Sequence, residues 1–113
     1  DMDLLIKAIS AEAKLASQSK VDLEDREAIM KGRELFDEIG CTDCHALGGW
    51  NAEDYSAPDL TGYGSREWML GIVHDPAHER FYGKKNDRMP AFGKDEKLTR
   101  RQMERIVDWL RGE

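Results

Sequence analysis

The stretch GCTDCHALGG, residues 40–49, holds both cysteines of the chain, Cys41 and Cys44, and sets His45 directly after the second. Three chemistries use a Cys-x-x-Cys pair. A dithiol redox site needs a thioredoxin-like βαβ setting. A zinc site needs two further Cys or His ligands. A covalent haem site needs the histidine. Two thiols add across the two porphyrin vinyl groups, so their separation must match the vinyl positions. The next residue then brings an imidazole to the iron as proximal ligand.

Each chemistry makes its own demand on the rest of the chain. The dithiol reading requires strands, and no segment alternates apolar with polar residues. A zinc set can be assembled from Cys41, Cys44, His74 and His78, with legitimate spacing inside each pair. The gap between the pairs, however, is about twice that of common fingers, and two glycine-rich loops would be left without a role. The haem reading requires a sixth ligand well downstream, in a loop that reaches the opposite face. Met89, inside NDRMPAFG with Pro90 stiffening the chain after it, meets that demand. A thioether opposite an imidazole raises the reduction potential and suits electron transfer. Taken alone, a loop methionine is ordinary gap-filling packing. His74 and His78 are the rival ligands, set among Asp75, Glu79 and Arg80 in what reads as a solvated turn.

The elements that must position these residues read as helices. Residues 3–18 are rich in Ala and Leu, with Leu4, Leu5, Ala8, Ile9 and Leu15–Ala16 near one face. A polar break, SQSKVD, follows. The periodicity predicts a second helix from Leu23 to about Glu38, capped by Asp22 and closed by Gly40, with Ala28, Gly32, Leu35, Phe36 and Ile39 recurring at helical spacing. Residues 41–64 read as loop. Ser65 caps a third helix carrying Trp68, Met69, Ile72 and Val73, which Asp75-Pro76 ends before a short helical turn. A second loop, GKKNDRMPAFGKDEK, leads to the last helix. There Thr99 and Gln102 have capping-box spacing, and Met103, Ile106, Val107 and Leu110 mark the apolar stripe beside Trp109. The expected class is all-α, with two loops long enough to wrap something.

Composition agrees. The chain has 113 residues, 40% hydrophobic and 35% charged, so its own core is modest and an embedded cofactor would supply missing interior. The net charge of −6 argues against nucleic acid, which selects basic faces. No run is long enough to span a membrane. The opening Asp1, Met2, Asp3 leads into no signal-peptide pattern, so a processed or excised piece is expected.

With these residues in view, the sequence resembles a class I cytochrome c over about residues 28–112. GRELFDEIGCTDCH resembles the family's first helix and haem anchor. The resemblance implies that Gly32 and Phe36 pack against an aromatic of the last helix, Trp109. APDLTGYG resembles the family's Gly-Pro-x-Leu segment, with Ala57 where the family often has Gly. It implies that the Pro58 carbonyl accepts the Nδ1–H of His45, a bond that fixes the tautomer and strengthens the ligand, and that Leu60 packs on the haem. RMPAFG resembles the distal methionine loop of bacterial members, with Met89 as axial ligand opposite His45. Trp50, Tyr55, Tyr63, Trp68, Tyr82 and Phe92 are candidates for the haem wall, and Trp68 and Arg66 for a propionate; generic packing explains each of these equally well. The segment EWMLGIVHDPAHERFYGKKNDRMPAFG is similar to c-type domains that partner the membrane cytochrome b of bacterial bc-type complexes.

The implied fold is the class I cytochrome c fold wrapped around one covalently attached haem c. Residues 23–113 form that domain, and residues 1–22 an extra helical segment or a linker from a membrane part. The implied function is single-electron transfer in a respiratory or photosynthetic chain, with redox proteins such as a bc-type complex or a terminal oxidase as partners and no catalysis by the domain itself. The alternative is a haem enzyme or gas sensor with an open sixth site. Haem attachment to cysteines implies a periplasmic or otherwise extracytoplasmic address, where bare thiols would tend to pair with each other.

Overall fold

Thr99 and Gln102 show why the last helix begins where it does. Gln102 N–H donates to Thr99 Oγ1 at 3.2 Å, and Thr99 N–H donates to Gln102 Oε1 at 2.9 Å. Two of the orphan donors of a helix start are thereby satisfied reciprocally. The computed structural model, which describes residues 1–113, has five α-helices joined by loops and turns: α1 (Met2–Glu12), α2 (Ser19–Glu24), α3 (Arg26–Glu38), α4 (Arg66–His74) and α5 (Arg100–Arg111). No strand forms; the only ladder-like contact is an isolated bridge between Leu47 and Trp50. No helix is long and apolar enough to cross a membrane. The chain divides into two compact units, Asp1–Ser65 and Arg66–Glu113.

The first unit is built on the crossing of α1 and α3. Ala8 of α1 is fully buried, and α3 buries Ile29, Gly32 and Phe36 at i, i+3, i+7; Gly32 and Phe36 belong to the expected face, whereas Ile29 was not expected there and the expected Ile39 is exposed. Gly32 lets the two backbones approach. A Cβ there would press on the Leu4 carbonyl and come within 2.8 Å of Ala8 Cβ. The neighbour of Gly32 is therefore the N-terminal helix, whereas Trp109, the expected partner, is 80% exposed. Lys7 pairs at 3.1 Å with Asp25, the residue that precedes α3. Gly40, at φ +92°, closes α3 in the left-handed conformation.

Three boundaries differ from expectation. The helix expected from Leu23 with Asp22 as its cap starts at Arg26, and Asp22 and Leu23 lie inside α2. The first helix stops at Glu12, not at residue 18, because Lys14 turns to φ +50°, a conformation that ends a helix and that no lysine advertises in sequence. The expected polar break is itself partly helical, since a 3₁₀ turn at Ala16–Gln18 leads directly into α2.

In the second unit α4 packs on α5. Trp68 and Phe81 meet edge to face at 5.2 Å between ring centroids, a favoured aromatic geometry. Phe81 also seats under Gly71, where a Cβ would lie 2.9 Å from the ring. Pro76 is fully buried in a turn, rather than opening a helical turn as expected. From the apolar stripe of α5 the structure buries Met103 and Val107 and leaves Ile106 and Leu110 exposed. Gly112, at φ +71°, closes α5 in a left-handed cap.

The α1–α3 crossing generates a prediction. Gly32→Ala should destabilise the protein by about 1–3 kcal/mol through overpacking, although Ala intrinsically favours helix by about 1 kcal/mol. A urea denaturation midpoint equal to or above the wild type would contradict the crossing.

Candidate functional site

The turn after α3 gathers the reactive residues. Gly40 reverses the chain, and Cys41–Asp43 forms one 3₁₀ turn. Cys44 and His45 both donate their N–H to the Cys41 carbonyl, at 3.3 and 3.1 Å. Thr42 Oγ1 donates to Asp37 Oδ1 at 2.6 Å and ties the turn back to α3. Both thiols are free, Cys41 half-buried and Cys44 exposed.

A second segment, residues 56–61, is stitched to that turn. The Cys44 carbonyl accepts from Ser56 N–H and Ala57 N–H, each at 3.0 Å. The Ala46 carbonyl accepts from Leu60 N–H at 2.9 Å. Gly48 N–H donates to Thr61 Oγ1 at 2.9 Å. Ala46 and Leu47 are buried beneath these bonds. The stitching brings the Pro58 carbonyl to 2.7 Å from His45 Nδ1. A carbonyl only accepts, so Nδ1 carries the proton, and Nε2 is the basic nitrogen. No protein group takes a hydrogen bond from or gives one to Nε2. Leu60, half-buried, lies two residues beyond Pro58 in the same segment.

Met89, Phe92, Trp68 and Arg66 belong to the second unit, whereas the wall candidates Trp50, Tyr55 and Tyr63 belong to the first. The Met89 carbonyl accepts from Asn86 Nδ2 at 3.0 Å, which closes the turn that carries its half-buried side chain. Phe92 is half-buried, and its carbonyl accepts from Lys97 N–H and Leu98 N–H, each at 2.9 Å. Gly93 anchors the end of this loop: its N–H donates to the His74 carbonyl at 3.2 Å, and a Cβ there would lie 2.9 Å from Met103 Cε. Trp68 is packed on Phe81. Arg66, a propionate candidate, is bonded to Asp108 and to Glu113, the latter at 3.3 Å. The Asp108 hydrogen bond is the main cause that raises the guanidinium above its usual range, and the Arg111 hydrogen bond is the main cause that holds the Glu113 carboxyl below the usual carboxylate range. Of the rival ligands, His78 uses Nδ1 to accept from Arg80 N–H at 3.1 Å, and the exposed His74 sits against Gly93.

A covalently attached haem asks for two thiols and an available imidazole nitrogen on one short turn. The donor set fits. Neither thiol is lost to a disulfide, and the imidazole is pinned at one nitrogen and open at the other.

Residues 27–110 match the family described as cytochrome c oxidase, cbb3-type, subunit III. The chain belongs to this family. Its curated relatives include the cbb3-type cytochrome c oxidase subunit CcoP of Helicobacter pylori strain ATCC 700392/26695, 32% identical over 90 residues that cover 76% of this chain and 29% of the relative. The same subunit from strain 52 is 32% identical over 90 residues, covering 28% of its length. The chain thus spans less than a third of the curated relatives it matches. No solved structure matches. Membership in the cbb3 family makes this a cytochrome c-type domain, for which the group is haem c. The family match begins after α1 and α2, so these two helices lie outside the matched residues.

Sequence reasoning missed three residues that hold the site. Thr61 supplies the acceptor for Gly48, Asn86 closes the Met89 turn, and Glu12 reaches the proximal loop from α1. Thr61 and Asn86 carry turn chemistry that a reader of the sequence assigns to generic loop. The Asn86 bond is open to test. Asn86→Ala should cost about 1 kcal/mol and speed tryptic cleavage after Arg88, whose side chain is 92% exposed. Cleavage at the wild-type rate would show that this bond does not hold the turn.

Proposed function

We propose that residues 23–113 form a monohaem c-type cytochrome domain that carries single electrons within a respiratory chain, with residues 1–22 as an added N-terminal helical segment. The observation that carries this reading is the Pro58 carbonyl on His45 Nδ1, with two free thiols on the turn before the ring. The family match supports it.

In this reading Cys41 and Cys44 would hold the haem through thioether bonds, His45 Nε2 and the Met89 sulfur would ligate its iron, and the helices would wrap it. Leu60, Phe92 and Trp68 would supply apolar wall, and Arg66 would pair with a propionate. The bound haem supplies a one-electron couple between ferrous and ferric iron. The protein's own residues do the rest. Pro58 holds the imidazole in one tautomer and orientation, and by accepting its Nδ1 proton makes Nε2 a stronger donor. The Asn86–Met89 turn fixes where the thioether is presented. Fixed ligands on stitched loops leave little to rearrange when the charge changes, and apolar side chains exclude water. A thioether ligand keeps the potential high.

The chain itself performs no catalysis in this proposal; it feeds or drains an oxidoreductase complex. The relatives' name supports a cbb3-type terminal oxidase as that complex. The net charge of −6 favours a docking surface that is basic around its redox centre. The address is extracytoplasmic, where cysteine–haem bonds are made.

The ferric absorption spectrum tests the ligand assignment. The account predicts low-spin iron with the weak red charge-transfer band of methionine ligation. Met89→Ala should abolish that band and lower the midpoint potential. A high-spin ferric spectrum would instead indicate the open sixth site of a haem enzyme or gas sensor. An unaltered band in the variant would exclude Met89 as the ligand.

A further inference from the structure

Glu12 is the only charged residue that the structure buries. It ends α1, outside the residues that match the family. One carboxylate oxygen accepts from Arg33 of α3 at 2.7 Å, and the other accepts from the backbone N–H of Gly62 at 2.6 Å. A buried carboxylate with both oxygens engaged joins three pieces of chain far apart in sequence. Desolvating it is costly unless its partners are in place.

Gly62 lies four residues after Pro58, in a run with little slack. Thr61 N–H donates to Asp59 Oδ1 at 2.8 Å, Tyr63 N–H donates to the Leu60 carbonyl at 2.9 Å, and Ser65 N–H donates to the Gly62 carbonyl at 2.8 Å. Gly62 and Gly64 both take left-handed backbone, and Gly64 packs so closely on Ala13 that a Cβ would sit 3.2 Å from Ala13 Cβ. The end of α1 thus meets the loop twice, through a charge-assisted hydrogen bond and a close contact. On its other side the loop is bonded to the haem-anchor turn through Leu60 and Thr61. Between these two rows of bonds stands the Pro58 carbonyl, on His45 Nδ1.

We infer that Glu12 is a positioning residue for the proximal ligand: through Gly62 it holds the 58–62 loop so that the Pro58 carbonyl stays on His45 Nδ1. α1 is then a brace for the axial histidine, and it brings to the site a control that lies outside the family's matched segment. The consequence for potential rests on the haem reading above; the positioning itself does not. When the brace loosens, His45 loses its acceptor, Nε2 becomes a poorer donor, and ferric iron is less stabilised.

The test uses the purified, reduced, diamagnetic protein and follows hydrogen exchange at His45 Nδ1–H and Gly62 N–H by NMR, with the Phe36 amide of α3 as the reference for general opening. Glu12→Ala should speed exchange at both sites about tenfold or more relative to Phe36, as expected for loss of a charge-assisted bond, and should raise the midpoint potential. Glu12→Gln retains the side chain's size and one carbonyl oxygen, so it keeps α1 docked and should give a smaller change in the same direction. Lys7→Met, which removes the other α1 ion pair and touches nothing in the loop, should leave both exchange ratios at the wild-type value. If both Glu12 variants exchange His45 Nδ1–H only in proportion to Phe36 and keep the wild-type potential, Glu12 merely docks α1 on α3 and the inference is overturned. Should the purified protein carry no haem, the exchange ratios alone decide the positioning role.

Discussion

The hydrogen bond from His45 Nδ1 to the Pro58 carbonyl is the constraint around which the first unit is arranged. An imidazole that must present one nitrogen to a metal has to be held by the other, since a free ring would rotate and exchange tautomers. A backbone carbonyl can do this only if its own loop is fixed. Here that loop is sewn to the Cys41–His45 turn by bonds to Cys44, Ala46 and Gly48. The turn in turn hangs from α3 through Gly40 and the Thr42–Asp37 bond. The bonds to Cys44, Ala46 and Gly48 satisfy backbone groups that the loop and turn would otherwise leave unpaired. The same bonds that make the loop foldable therefore orient the His45 ring.

Much of this was legible in the chain because the chemistry is local. Cys41, Cys44 and His45 must be adjacent for covalent attachment, so their order carries its own meaning. Gly32 and Phe36 show by their helical spacing that one face of α3 is buried, and Thr99 with Gln102 announces the start of α5. Pro58 is different. No spacing rule ties it to His45, and only the family resemblance suggested the contact that the structure contains.

What was hidden is long-range. Gly32 signals a close helix crossing but not with which helix, and its neighbour proved to be α1. Glu12, between alanines near a helix end, reads as a solvated acid, because Arg33 and Gly62 lie far along the chain. Lys14 gives no warning that it turns left-handed. The stripe on α5 is wider in sequence than the part that packs, since hydrophobicity alone does not say which edge of a face finds a neighbour; Met103 and Val107 are covered while Trp109 is not. Membership in the cbb3 subunit III family accounts for residues 27–110, and α1, before them, adds the inferred brace that the family pattern did not foretell.

The central claim is that Cys41 and Cys44 carry one haem by covalent bonds. Its most direct measurement is the intact mass of the chain, produced in a compartment competent for haem attachment and analysed under denaturing, reducing conditions. The account predicts a single species heavier than the polypeptide by one haem, reverting to the bare mass when both cysteines are replaced by alanine. A chain of unmodified mass, with haem released or absent, would contradict it.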